Sequence, residues 1–375
     1  MSRCVLADYS ELAIASSESV ELYSSSADID SPLWTAAQVS QWAADRSPAA
    51  MMLESERAAA GTSIDRDDPK QCAQASLKQQ VLADLAMHER DRAAAASLEV
   101  YYRIVGLGRQ RQMLVEAMAV IDQLTSMAVE AESLGLSDED PGDLRRQRLE
   151  AEDQLQQLDG GVEKLRLRLS QLTGRTIEAS RRSILLSPLL MGDSIPLDEE
   201  AVAVAIAQRS DLRALHTLSQ RLNAYTLPAV RDLLAAQQPG LGMVTQIARR
   251  LALPCLGGPD ISGQDISLRR RQCHQLSEAR AEQIEVDVRD ALVDLSTARR
   301  RAHLAGQRAE LADASAQKLR ASIELGRAPA GSDLLIKLEK LAAQGDQVQR
   351  QTDEAVGWVK LRQAQGIASQ SMPVQ

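Results

Sequence analysis

Between residues 284 and 323 the apolar side chains follow an unbroken seven-residue repeat, a pattern that few folds accommodate. Steps of four and three residues alternate, which keeps one side of a helix turned toward a neighbouring helix. Seven of the twelve positions are alanine, so the neighbouring backbone must approach closely. At 1.5 Å per residue the helix spans roughly 60 Å. The positions are Ile284, Val288, Ala291, Leu295, Ala298, Ala302, Ala305, Ala309, Ala312, Ala316, Leu319 and Ile323.

The composition indicates long helices rather than ordinary globular cores. The 375 residues include no phenylalanine, five tyrosines and three tryptophans, although globular cores normally gain much of their buried area from aromatic rings. Alanine, leucine, glutamine, arginine and glutamate dominate, as expected of a protein made of long helices. We therefore predict an all-α fold built from long antiparallel coiled-coil hairpins.

Charge and motif content exclude several classes of function. The net charge of -9 is spread along the chain without a basic block, so nucleic-acid binding is not predicted. No Cys-x-x-C pair occurs, and the neighbours Cys273 and His274 cannot form a metal site alone, so we predict neither a metal nor a cofactor. The sequence lacks a nucleophile elbow, a P-loop and a dinucleotide fingerprint. We predict no catalytic residues and no enzyme activity.

The chain divides into a lead-in, two similar halves and a tail. The lead-in is rich in serine and acidic residues and is expected to be poorly ordered. Each half is expected to contain a short helix and a long helical hairpin, with tips near 135–143 and 326–333. The predicted boundaries are 1–31 for the lead-in, 32–187 and 188–366 for the two halves, and 367–375 for the loose tail.

In the first half a helix is predicted to start near Trp34 and to stop at Ser47-Pro48. A long helix follows from about Leu77 to Leu134, and Asp143 is expected to cap the helix that returns to Gly174. Between Met113 and Leu134 this long helix carries two overlapping apolar seams. Such a wide stripe requires neighbours on two sides.

In the second half a helix is predicted from Leu197 to Leu215, with Asp198 as its cap. Residues 228–264 contain four prolines and are the least regular part. From about residue 264 a long helix runs to Leu325, and a returning helix ends at Gly366.

Matching landmarks indicate an internal duplication. Leu134-Gly135 and Leu325-Gly326 differ by 191 residues, Asp143-Leu144 and Asp333-Leu334 by 190, and Gly174 and Gly366 by 192. The piece Arg46-Ser47-Pro48-Ala49 corresponds to Arg209-Ser210-Asp211-Leu212. We therefore predict two copies of one unit.

This duplicated unit resembles the TolC family of outer-membrane efflux proteins over about residues 33–366. The resemblance rests on the two Leu-Gly tips and on the stretch from Arg209 to Leu215, RSDLRAL. It implies a homotrimer whose helices form a tunnel across the periplasm of the cell envelope and whose tips meet a periplasmic adaptor and an inner-membrane transporter. It also implies efflux transport activity.

The sequence departs from the family where membrane strands are expected, at residues 52–76 and 226–263. A barrel strand needs about 9 to 11 alternating residues with aromatic girdles. Neither region has an aromatic girdle, and Arg249-Arg250 and Pro254 interrupt the only candidate, Leu241 to Leu256. We therefore expect little or no β-barrel.

The resemblance places candidate site residues at the tips. They are Gly135, Asp143, Gly326, Arg327 and Asp333. A ring of Asp333 from three chains is expected to select cations or gate the pore. The alternative is that Asp333 or Ser332 only caps a helix, because Ile336 occupies the place of the family's second carboxylate.

Two functions follow as alternatives. The first is a TolC-like component of an export or envelope assembly, associated with the periplasm or the outer membrane. The second is a soluble coiled-coil scaffold that is derived from this family and transports nothing. Met1 to Ser26 contains no signal-peptide pattern, so a cytoplasmic location is the alternative to the envelope.

Overall fold

A computed structural model describes residues 34–62, 65, 67–134, 141–175, 194–237, 261–327 and 331–370. Within these residues the structure is helical, and the predicted all-α fold is confirmed. The helices are α1 (Ala36–Arg46), α2 (Pro48–Thr62), α3 (Pro69–Ser133), α4 (Pro141–Thr173), α5 (Asp198–Gln208), α6 (Ser210–Gln220), α7 (Leu227–Gln237), α8 (Ile261–Glu324) and α9 (Ser332–Gln365).

The two longest helices, α3 and α8, have 65 and 64 residues and are each roughly 95 Å long. The seven-residue repeat of α8 is confirmed as its inward side. Nine of its twelve positions are buried and the other three, Ala298, Leu319 and Ile323, are half-buried. In α3, Val120, Ile121 and Leu124 are buried, whereas the rest of the double seam is only partly covered.

The four long helices pack in the order α4, α3, α9, α8. Glycines allow close approach at two of these contacts. A Cβ on Gly106 of α3 would lie 2.2 Å from Thr352 Oγ1 of α9, and a Cβ on Gly357 of α9 would lie 3.3 Å from Leu295 of α8. The two hairpins are therefore joined through α3 and α9, which leaves α4 and α8 at the two edges.

Four of the aromatic residues that the structure describes gather where α1 packs on the middle of α3. Tyr101 and Tyr102 are fully buried in an edge-to-face pair with ring centroids 5.3 Å apart. The Tyr101 hydroxyl donates to the Trp34 carbonyl at 3.2 Å, and Trp34 packs edge-to-face on Trp42. These four rings therefore lie at one level, whereas the cluster near the tips is built without aromatic side chains.

The short helices correct two predictions. The segment 197–215 is not one helix, because it breaks at Arg209, whose extended backbone (φ -62°, ψ 113°) separates α5 from α6. Asp198 is the first residue of α5 and not its cap, since the N-cap is Leu197, which makes no side-chain hydrogen bond. By contrast, α1 begins close to the predicted start near Trp34, and Thr35 and Gln38 form a capping box there.

Residues 228–264 are more regular than predicted, because α7 occupies Leu227–Gln237. Pro228 is tolerated there, since the amide missing at the first turn of a helix has no partner in any case. Residues 238–260, which include the candidate strand from Leu241 to Leu256, lie outside the described part of the chain. Where residues 52–76 are described, they lie in α2, in α3 and in the turn between them.

The ends of the chain give a further correction. Residues 1–31 and 371–375 lie outside the described residues. Residues 367–370, expected to belong to a loose tail, are instead packed on the body. Ala368 is 1% exposed within the aromatic core, and the Ser369 amide donates to Asp91 Oδ1 at 2.8 Å.

Candidate functional site

The distal ends of both hairpins lie together at one end of the molecule. Val120 and Leu124 of α3 pack with Leu341 of α9. The half-buried residues around them come from three helices and are Met113, Ala117, Leu144, Leu334 and Leu338. The methyl carbon of Met127 lies 3.2 Å from the Cβ position of Gly331. The two tips are therefore neighbours, as a shared functional end requires.

At the second tip, Gly326 ends α8 in the left-handed conformation, with φ 66°. Its amide donates to the Ile323 carbonyl at 2.8 Å, and the Arg327 amide donates to the Ser322 carbonyl at 2.9 Å. These two bonds form a Schellman motif, which satisfies carbonyls that the helix end leaves unpaired. The predicted helix stop at Gly326 is thus confirmed, and Arg327 follows it as an exposed residue.

The capping interpretations of Asp333 and Ser332 are wrong. The N-cap of α9 is Gly331, with φ 88° and no side-chain hydrogen bond. Asp333 lies exposed in the first turn, where a carboxylate is favoured by the partial positive charge of the helix start. Its carboxylate is therefore open to solvent at the tip.

Asp143 is also not a helix cap, because α4 already begins at Pro141. It lies exposed in the first turn and pairs with Arg146. Gly135 lies outside the described residues. Among the described residues no hydrogen bond or ion pair joins Asp143 to Arg327 or Asp333. The structure thus places the described tip residues, Asp143, Gly326, Arg327 and Asp333, at one end without linking them into one cluster.

The outer side of α8 carries a second row of apolar side chains, Val286, Val293, Leu304 and Leu311, which we call the outer row. Each lies two residues after a buried position of the inward repeat. Two residues correspond to about 200° around a helix, so the outer row points away from α9. Its side chains are well exposed, Leu311 to 68%.

The other edge helix, α4, shows the same arrangement. Leu149 and Leu167 lie two residues before buried Ala151 and Leu169, and they are 65% and 64% exposed. Both edges of the four-helix arrangement therefore present large apolar side chains to solvent. Aligned apolar exposure of this kind marks an interaction surface more often than isolated exposed leucines do.

A charged network ties the two halves together at the break between α5 and α6. Arg209, only 5% exposed, binds Asp211 through Nε at 2.9 Å and Nη2 at 2.7 Å. Arg280 of α8 donates to the same carboxylate at 2.6 Å. Burial alone would raise the pKa of Asp211, but the hydrogen bonds and charge of Arg209, with those of Arg280, hold it well below its usual range.

The network extends to α3 and to the end of α9. His88 Nδ1 lies 3.9 Å from Asp211, and burial lowers the pKa of His88. Arg213 of α6 donates to Asp84 of α3 at 2.7 Å, and Arg209 Nη1 donates to the Ala364 carbonyl at 3.1 Å. This junction therefore holds α3, α6, α8 and α9 in one place.

Sequence reasoning found only part of this network. It singled out Arg209 and Asp211 through the Arg-Ser-Asp-Leu stretch, but it missed His88 and Arg280. Those two residues lie in α3 and α8, and no local spacing connects them to the motif. The one available signal was the arginine and aspartate two residues apart at a helix break.

No described helix is long and apolar enough to cross a membrane. Within the described residues no group of three or more His, Cys, Asp or Glu side chains could hold a metal ion.

No family model matches the sequence, and no curated protein matches it either. Solved structures do match. The Campylobacter jejuni CmeC outer membrane channel superposes with a TM-score of 0.63 at 11% identity, over 89% of this chain and 86% of that one. A membrane protein from Pseudomonas aeruginosa superposes with a TM-score of 0.62 at 13% identity, over 88% of this chain and 93% of that one. The outer membrane protein VceC from Vibrio cholerae superposes with a TM-score of 0.59 at 13% identity, over 88% of this chain and 96% of that one. Identities this low show the fold, and the predicted TolC-like helical body is confirmed.

Proposed function

We propose that this chain is a TolC-like component of an envelope export assembly and that several copies, three by resemblance, form the helical wall of a tunnel. The observation that carries the proposal is the pair of apolar edges. The outer row of α8 and the leucines of α4 lie at opposite ends of the order α4, α3, α9, α8. Contact between α8 of one copy and α4 of the next would cover both edges, and repetition of that contact closes a ring.

The geometry of the two halves supports their origin from one duplicated unit. In the first half a Cβ on left-handed Gly174 would meet the Arg46 side chain, and in the second a Cβ on left-handed Gly366 would meet Arg209. Each half thus places an arginine from its helix break against the glycine that ends its hairpin. A ring of three copies would contain six such units and twelve long helices.

The tips form the aperture of this assembly in our proposal. Asp333 and Arg327 are exposed beside the Gly326 turn, and Asp143 is exposed at the start of α4. In a closed ring these charges would recur at each copy, where carboxylates could favour cations. The same end would meet a periplasmic adaptor and an inner-membrane transporter.

Sedimentation of purified protein at micromolar concentration tests the assembly. We expect the parent chain to sediment as a trimer and the double variant Leu304→Lys, Leu311→Lys to sediment as a monomer, because lysine charges at both positions oppose burial. Met87→Lys changes an exposed apolar side chain of α3, which is neither of the two edge helices α4 and α8, and should leave the trimer intact. A parent chain that is monomeric, or a double variant that sediments like the parent, would contradict the proposal.

Cell fractionation separates the export component from a soluble scaffold. The export component should be recovered with the envelope and the scaffold with the soluble fraction. Recovery of the full-length chain in the soluble fraction alone would favour the scaffold.

A further inference from the structure

Six glycines lie at one level of the four long helices, and we call them the glycine belt. Contacts between neighbouring helices set this level. The Cβ position of the α4 glycine at 161 lies 3.6 Å from Leu107 of α3, and that of the α8 glycine at 306 lies 3.6 Å from Gln347 of α9. The belt spans roughly 10 Å of helices that are up to roughly 95 Å long. Its members are Gly106 and Gly108 of α3, Gly160 and Gly161 of α4, Gly306 of α8 and Gly345 of α9.

Close packing requires glycine at only one of these positions, Gly106, which packs tightly on Thr352 of α9. A Cβ on Gly161 or Gly306 would come no closer than 3.6 Å to another residue, which is ordinary van der Waals contact. At three positions a Cβ would meet nothing within 4 Å, namely Gly108, Gly160 and Gly345. Alanine would fit at these five positions and favours a helix more than glycine does. The glycines therefore weaken the helices at this level without a gain in packing.

The apolar core is also interrupted at the belt. Residues 107–119 of α3 are all half-buried or exposed, and so are residues 152–161 of α4. On one side of this interval lies the aromatic core, whose last member in α3 is Val105. On the other side lies the tip cluster of Val120, Leu124 and Leu341. The two packed cores are thus roughly 20 Å apart along α3.

Polar contacts hold the helices together across the belt. One contact joins each pair of neighbouring helices, and these are Gln110 with Gln349, Arg111 with Asp159, and Arg308 with Asp346. The first two have distances of 2.6 Å and the third 3.6 Å. The Arg308 side chain is 71% exposed. Exposed ion pairs contribute little to stability, because water replaces them readily. The helices can therefore shift here at low cost.

The short helices brace the molecule on only one side of the belt. The helix α1 starts beside Tyr101, five residues before Gly106, because the Tyr101 hydroxyl donates to a carbonyl just before this helix. The helix α5 starts beside Arg289 of α8, which donates to Asp198 at 3.2 Å, roughly 25 Å before the belt. Within the described part of the chain, only the four long helices continue from the belt to the tips.

We propose that the glycine belt is a bending joint at which the distal hairpins tilt as one piece relative to the braced body. The tip cluster joins the two hairpins beyond the belt, so their ends move together. Glycine and sparse apolar packing both favour local bending of helices. The tips lie roughly 40 Å beyond the belt, so a bend of about 10° displaces them by roughly 7 Å. The joint belongs to the single chain and does not depend on the proposed ring.

Amide hydrogen exchange of the full-length protein, followed by mass spectrometry of its peptides, tests for the joint. Bending opens backbone hydrogen bonds of the long helices where they bend. The belt segments of α3, α4 and α9 should therefore exchange faster than the segments on either side, which contain the aromatic core and the tip cluster. Equal protection at all three levels of α3 would overturn the proposal.

A single substitution distinguishes a joint from separate fraying of each helix. Gly160→Ala introduces no clash and favours the helix, so it should raise the free energy of bending. Because the helices bend together at a joint, exchange should slow about fivefold in the belt segment of α4 and by a similar factor in those of α3 and α9. Slowing that is confined to α4 would overturn the joint.

Ser126→Ala is the matched control, because it also improves an exposed position of a long helix but lies beyond the belt. It should leave exchange at the belt unchanged in all the helices. Slowing at the belt equal to that of Gly160→Ala would assign the effect to general stability and would also overturn the joint. Sedimentation of the same samples reports the ring separately, so the failure of one proposal is recognised independently of the other.

Discussion

The helix breaks of the two halves share a backbone arrangement but differ in what surrounds it. Ser47 (φ -55°, ψ 114°) separates α1 from α2, and Arg209 (φ -62°, ψ 113°) separates α5 from α6. The sequence pairs Arg46 with Arg209, whereas the backbone pairs Ser47 with Arg209, so the structural correspondence is displaced by one residue. Arg46 is exposed, whereas Arg209 is buried and bound to Asp211. The turn itself therefore does not require the charged network.

The charged network around Asp211 attaches the second break to α3 of the first half. Asp211 brings Arg280 of α8 and His88 of α3 to the second break, while Pro48 follows the first break and offers no charge. The first break is held instead by a small hydroxyl, since Ser47 Oγ accepts from the Ala50 amide at 3.4 Å.

Asp211→Asn should destabilise the protein by about 3 kcal/mol, because it leaves the buried Arg209 guanidinium without its anion. At the first break, Arg46→Ala removes an exposed side chain that ends α1 and should cost less than about 1 kcal/mol. Urea unfolding followed by circular dichroism measures both. Equal costs for the two variants would show that the breaks do not differ in the way described.

Gly106→Ala should cost about 2 kcal/mol, because its Cβ would lie 2.2 Å from Thr352 Oγ1 at the contact between the two halves. Gly108→Ala is the control, since a Cβ there meets nothing within 4 Å and alanine favours the helix by up to about 1 kcal/mol. Adding Thr352→Ala to Gly106→Ala should recover much of the loss. A stabilising effect of Gly106→Ala on its own would mean that the helices are less closely packed.

Gly366→Ala should be about 1 kcal/mol more destabilising than Gly174→Ala, as measured by urea unfolding. Both glycines have left-handed backbone conformations, with φ 72° and 68°, and an alanine in this conformation costs roughly 1–2 kcal/mol. The difference arises from the neighbour. The new Cβ at 366 lies 3.2 Å from the Arg209 backbone, whereas that at 174 meets chiefly the mobile end of Arg46. A larger cost at Gly174 would reverse the comparison.

Acidification from pH 7.5 to 5.5 should weaken the second break through His88. Burial lowers the pKa of His88, so the unfolded chain, with a His pKa near 6.5, takes up the proton first. Stability is therefore lost as the pH falls below about 6.5, by at most about 1.4 kcal/mol per pH unit.

The lowered pKa of Asp211 acts in the same direction, but its contribution is lost only below about pH 4. Burial raises the pKa of Asp91, which acts in the opposite direction, so the comparison with His88→Gln isolates the histidine. Unfolding free energies measured across this pH range should fall less steeply for His88→Gln than for the parent. Parallel curves would assign the dependence to other groups.

The sequence predicted the features that depend on period and on special backbone positions. The inward repeat of α8, the length of α8 and the stops at Gly174, Gly326 and Gly366 all follow from local rules. The start of α3 was predicted less well, because the helix begins at Pro69 and not near Leu77. The caps were less predictable, because an aspartate near a helix start is favoured both as the N-cap and inside the first turn. In this structure Asp143, Asp198 and Asp333 all lie inside the first turn. The charged junction could not be read from the sequence, since Asp211 meets residues of α3 and α8 only after the helices pack.

The alanines along the inward side of α8 also affect how this protein can vary over time. An alanine at a close contact has only glycine below it in size, and glycine weakens a helix by about 1 kcal/mol. Every larger residue would force α8 and α9 apart. Both smaller and larger residues are thus unfavourable at these positions, although no single alanine side chain contributes much to the packing energy. We expect natural variation to accumulate on the solvent-facing turns of the hairpin instead.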